Sequence, residues 1–121
     1  MDERIEKAFE VANYMATLSN QRRLAAEEYN QKIVYYTNGA TFKITPELIA
    51  FTSAMISAGY ETNTVFIDSN IQPIIIPNVK DFLDKITLIY VEATNEFFKK
   101  FAAIKSKRKI VDMVDLWPPE Q

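Results

Sequence analysis

The chain has 121 residues, 48% of them hydrophobic and 25% charged, with a net charge of −2 and neither histidine nor cysteine. Length and composition fit one folded domain of ordinary globular type. The missing residue types exclude disulfides, thiolate or imidazole metal sites, a cysteine nucleophile and a Ser-His-Asp triad.

The opening run Met1-Asp2-Glu3-Arg4-Ile5-Glu6-Lys7 is charged and lacks the apolar stretch of a signal peptide. No uninterrupted apolar run approaches the ~20 residues of a membrane span. A cytosolic address without membrane association is therefore expected.

From Ile5 to Tyr36, apolar residues recur at helical intervals: Ile5, Ala8, Ala12, Met15, Leu18, Ala25 or Ala26, Tyr29, Ile33 and Tyr36. Arg22 stands where this stripe calls for an apolar residue. It can set register, as buried polar residues do in coiled coils, or pack its stem while its head reaches water. Asn38-Gly39 can close the helix, with Gly39 as a left-handed cap, or turn a hairpin joining Ile33-Thr37 to Ala40-Ile44. The unbroken stripe favours the cap, while the β-branched and aromatic content of residues 33–37 supports the hairpin.

Thr41-Phe42-Lys43-Ile44 alternates as a half-buried strand. Thr45-Pro46-Glu47 then opens a short helix with an N-cap, a proline at the first turn and an acid suited to the dipole. Leu48, Phe51, Met55 and Ile56 form its buried side, and Gly59 ends it. Two strands follow, Thr64-Ile67 and Ile71-Ile76, around the polar turn Asp68-Ser69-Asn70. Pro73 cannot donate to a ladder, so its strand reads as an edge or carries a bulge.

Pro77-Asn78-Val79-Lys80-Asp81 begins the last helix, with Asn78 capping and Asp81 closing a capping box. Phe82, Ile86, Ile89, Ala93, Phe97, Phe101 and Ile104 repeat the stripe of the first helix. The chain thus predicts an α+β fold: two long antiparallel helices flank a small antiparallel sheet of about three strands and one short helix. Residues 1–114 form a single domain, and residues 115–121 form a C-terminal Trp/Pro tail. A chain of this size with long helices gains core by self-association, so a homo-oligomer is expected.

Lys99, Lys100, Lys105, Lys107, Arg108 and Lys109 give a basic segment with no acid from 99 to 109. It can neutralise phosphates, with Phe97, Phe98 or Phe101 available for stacking. The net charge of −2 and the acids Asp112, Asp115 and Glu120 that follow favour a solvated helix end or contact with an acidic protein surface. Trp117, in Leu116-Trp117-Pro118-Pro119, can anchor in a partner's pocket or fold back on the helices. The carboxylate pairs Glu27-Glu28, Asp81 with Asp84, and Asp112 with Asp115 lack the clustered oxygen ligands of a cation site. Asp68-Ser69-Asn70 resembles only the first positions of a calcium loop. No catalytic, metal or cofactor residues emerge, and the sequence predicts a protein that is not an enzyme.

A wider set of residues carries a resemblance: Ala12-Asn13-Tyr14, Thr17-Leu18, Asn20-Gln21-Arg22-Arg23, Asn38-Gly39, Phe42, Glu47-Leu48-Ile49, Ile67-Asp68-Ser69-Asn70, Pro73-Ile74, Tyr90 and Glu92-Ala93-Thr94-Asn95. In these the chain resembles a family of small proteins of marine contractile-tailed, T-even-like phages, over nearly its whole length to about Val114. The resemblance implies a phage origin and a place in the host cytoplasm or the virion, and a phage or host protein is the expected partner. It brings no catalytic residues. The expected function is a non-enzymatic accessory or structural protein working through protein–protein contact and self-association. The alternative is a nucleic-acid-binding or host-regulatory protein using residues 99–109.

Overall fold

A computed structural model describes residues 2–113, with side chains through residue 106. The order is α1 (Glu3–Lys32), β1 (Val34–Thr37), β2 (Ala40–Lys43), α2 (Pro46–Ser57), β3 (Thr62–Ile67), β4 (Pro73–Asn78) and α3 (Val79–Met113). The fold is α+β with long helices at both ends, and its strands form two antiparallel two-stranded sheets, β1-β2 and β3-β4, in place of one three-stranded sheet. The described residues fall into two compact units. One lies within Met1–Glu28 and Glu96–Gln121, the other is Tyr29–Asn95.

The α/β unit corrects the expected helix cap at Asn38-Gly39. Helix α1 ends at Lys32, and Asn38 (φ 48°) and Gly39 (φ 77°) form the two-residue turn of the β1–β2 hairpin. Both positive φ values match the mirror-image turn whose twist suits paired strands. Register runs from Val34 opposite Lys43 to Thr37 opposite Ala40. Tyr36, which the helical stripe would bury, is 72% exposed on β1.

The β3–β4 turn holds this hairpin in place. Ile44 N–H donates to Ile33 O at 2.7 Å, which by ladder alternation turns the Thr41 and Lys43 amides outward. Asp68 Oδ2 accepts from Thr41 N at 3.0 Å, Ser69 Oγ accepts from Lys43 N at 2.8 Å, and Ser69 N donates to Thr41 O at 2.8 Å. The turn therefore stands in for a neighbouring strand along the open edge of β2.

Helix α2 follows its sequence signals closely. Thr45 Oγ1 accepts from Leu48 N at 3.1 Å, with Pro46 at the start of the helix. At the other end Tyr60 N bonds Met55 O and Gly59 N bonds Ile56 O, with Gly59 at φ 96°: a Schellman closure. The fully buried residue of α2 is Thr52, whose hydroxyl donates to Leu48 O at 2.7 Å. Phe51, expected inside, is half exposed and meets Phe66 edge-on.

Strand β4 runs directly into α3, so Pro77 belongs to the strand and does not open the helix. Asn78 Oδ1 accepts from Asp81 N at 3.0 Å as the cap, while the Asp81 carboxylate is taken by Lys85 at 3.1 Å. The core of this unit centres on Phe42, Ile44, Phe66, Ile76, Val79, Phe82 and Ile86. Each such burial contributes about 1.5–3 kcal/mol. Among the described residues of the helical unit, Leu18, Ala25 and Ile104 are buried, with Met15 and Phe97 packed against them.

Candidate partner-docking groove

Within the helical unit, Gln21, Leu24, Ala25 and Glu28 of α1 and Lys100, Ala103 and Ile104 of α3 line a shallow groove. The α1 positions follow i, i+3, i+4, i+7 and the α3 positions i, i+3, i+4, so each helix contributes one continuous face. Ala25 and Ala103 keep the floor low, and Leu24 remains 54% exposed beside it. A groove of this shape suits an amphipathic helix that inserts anchors at the same spacing.

Of the basic segment, Lys100 sits at the groove's polar end. Its ammonium pairs with Glu28 Oε2 and lies 3.3 Å from Glu96 Oε1. The Glu28 bond is the largest cause holding the Lys100 pKa above its ordinary value, with Glu96 adding to it and partial desolvation opposing. Lys99 and Lys105 are exposed. At about 100° per residue, Lys99, Lys100 and Lys105 leave the helix in three separate directions, so they do not form one phosphate-tracking face. The side chains of Lys107, Arg108 and Lys109, and all of Trp117, lie outside the described residues.

Arg22 is an exposed residue whose guanidinium stands 5.0 Å from the centre of the Phe101 ring. This is a cation–π contact with the charge kept in water. Gln21, half buried in the groove, occupies the step of the stripe between Leu18 and Ala25. Toward the start of α1, Ile5 and Phe9 are 48% and 58% exposed, so its apolar stripe continues beyond what the described residues of this unit bury.

Nothing in the sequence pattern marks Leu24 or Ala103, and Glu28 reads there only as part of a carboxylate pair. The i, i+4 spacing of Glu96 and Lys100 was the available signal for the ion pair. Leu24 carried no signal, because it falls off the principal stripe.

A second cleft, in the α/β unit, is lined by Tyr35, Thr37, Asn38, Asn78, Asp81 and Lys85 among others. Its cation is already engaged: the Asp81 carboxylate, and secondarily Tyr35, hold the Lys85 pKa above its usual value. The Asp68 carboxylate is also fully used, by the Gln72, Thr41 and Asn70 amides that lower its pKa against opposing desolvation. Among the described residues no group of three or more acids gathers as a cation site, and no helix is long and apolar enough to cross a membrane. No family model, curated protein or solved structure matches the chain.

Proposed function

We propose that the chain is a non-enzymatic accessory or structural protein of a contractile-tailed phage. It acts in the host cytoplasm or the virion through protein–protein contacts and self-association. The observation that carries the partner contact is the apolar surface that the described residues of the helical unit leave open: Ile5, Phe9, Leu24 and Phe98 are all about half exposed or more. Among their described residues the two helices bury Leu18, Ala25 and Ile104, and they gain core when a partner's helix fills the groove over Leu24, Ala25, Ala103 and Ile104. The Glu28–Lys100 and Arg22–Phe101 contacts support antiparallel pairing of the long helices within one chain.

The nucleic-acid alternative draws less support. Lys100 is occupied by two carboxylates, and Lys99 and Lys105 diverge from it. The discriminating experiment is capture from infected-cell lysate with the wild-type protein and a Leu24→Glu/Ala103→Glu variant, each with and without nuclease. A protein that survives nuclease and is lost with the groove variant supports the proposal. Recovery that depends on nucleic acid and ignores the groove overturns it.

A further inference from the structure

In the α/β unit, the strands β3 and β4 present one face to its core, and no described residue of that unit covers the other. Val65, Ile67 and Ile75 point outward at 57%, 66% and 55% exposure, and Ile71 in the adjoining turn is 82% exposed. Val65 stands opposite Ile75 and Ile67 opposite Pro73. Asp68 N donates to Gln72 O at 3.0 Å, so by alternation these outward residues form the closely approaching, non-bonded pairs. The result is a continuous branched apolar face. Its area, on the order of 500 Å², lies at the upper end for the largest patch of a stable monomer.

Two further observations give this face a purpose. Ile71 holds a φ of 59°, in the left-handed region that a β-branched side chain rarely enters. Gly or Asn would sit there without that strain, yet the position carries an exposed isoleucine beside the sheet face. Between Thr62 and Val79 the only ionisable side chain is Asp68, in a chain that is 25% charged, and Asp68 is turned inward and bonded to three amides.

We infer that the outer face of β3–β4 is a self-association surface, packed face to face against the same face of a second copy. The proposal rests on the self-association half of the functional reading above. A neutral surface meets its own copy without charge repulsion. The patch also supplies more than half of the roughly 800 Å² per partner of a standard interface. Edge-to-edge pairing through β4 is disfavoured, because Pro73 and Pro77 occupy its outward-directed amide positions. Stacking of the two faces, about 10 Å apart, leaves those prolines inside the contact and closes on a two-fold axis.

The test is sedimentation of the full chain across a micromolar range, comparing wild type with Ile67→Lys, Ile75→Lys, Val65→Pro and Leu24→Lys, with circular dichroism to establish folding. The expected result is a wild-type dimer at twice the 14.0 kDa chain mass. Ile67→Lys and Ile75→Lys should each weaken it by about 100-fold, while Leu24→Lys leaves it intact. Should the lysine variants fail to fold, Ile75→Cys, in a chain without native thiols, should cross-link into a covalent dimer with a short bismaleimide. A dimer lost with Leu24→Lys but kept by both sheet variants overturns this inference and leaves self-association standing. A dimer lost with Val65→Pro but kept by Ile75→Lys makes the contact an edge pairing and likewise overturns it. A wild-type monomer overturns both the surface and the self-association reading.

Discussion

The Asp68 carboxylate accepts the Thr41 amide at 3.0 Å, joining the β3–β4 turn to the open edge of β2 across 27 positions of sequence. The same carboxylate takes Asn70 N at 2.9 Å and Gln72 N at 2.8 Å, so one buried side chain closes its own turn and fastens a second sheet. These bonds favour the ionised form and hold its pKa below the ordinary 3.8. A lowered folded pKa contributes stability that is fully present above the unfolded value and is lost as pH falls through the folded one. Denaturant melts should therefore show stability declining as pH drops below about 4. Asp68→Asn should be less stable at pH 7, because one acceptor becomes a donor facing amide donors, and its acid limb should be flatter. Equal acid limbs in the two proteins would remove Asp68 from this role.

Phe82 meets the rings of Phe42 at 5.1 Å, Phe66 at 5.4 Å and Tyr35 at 6.0 Å, which ties α3 to β1, β2 and β3 at one point. Phe82→Ala should cost about 3–5 kcal/mol through lost burial and the cavity it leaves. Phe98→Ala, at a ring that is 72% exposed, should stay within about 0.5 kcal/mol in the monomer. Urea unfolding of both variants checks the contrast, and similar losses at the two sites would contradict the packing described.

Signals confined to two or three neighbouring residues were legible in the sequence: Thr45-Pro46 opening α2, Gly59 closing it, and Asn78 capping α3. The stripe from Phe82 to Ile104 was legible too, because a long helix repeats its pattern. Residues 33–44 were not, since Tyr29, Ile33 and Tyr36 keep helical spacing while Asn38-Gly39 fits a hairpin equally well. What favours the hairpin is the engagement of β2 by Asp68 and Ser69, a long-range bond that no local window contains. The groove was hidden for a related reason. Leu24 and Ala103 acquire meaning only when the two helices are set side by side.

Two backbone positions should respond to substitution with opposite sign. A side chain added at Gly39 meets nothing within 4 Å, so Gly39→Ala is governed by its φ of 77° alone and should cost about 1 kcal/mol. Ile71, at φ 59°, already bears that kind of strain, and Ile71→Asn should stabilise the monomer by roughly 0.5–1 kcal/mol. Thermal melts at dilute concentration, where association does not contribute, measure both. A destabilised Ile71→Asn monomer would mean that the isoleucine makes compensating contacts within its own chain.

Lys100 is held by two carboxylates of the helical unit. Its side chain remains 38% exposed between Glu28 and Glu96, so the pairing is open to salt. Lys100→Met keeps the apolar stem and removes only the charge. It should lower the melting temperature slightly in dilute buffer and converge on wild type at high ionic strength, because screening weakens the same interaction in the intact protein. Binding of a labelled single strand gives the complementary readout. A phosphate contact at Lys100 would reduce the salt slope by about 1 when its charge is removed. With two carboxylates already holding the ammonium, the slope should stay unchanged, and a reduced slope would bring the basic segment forward as a nucleic-acid surface.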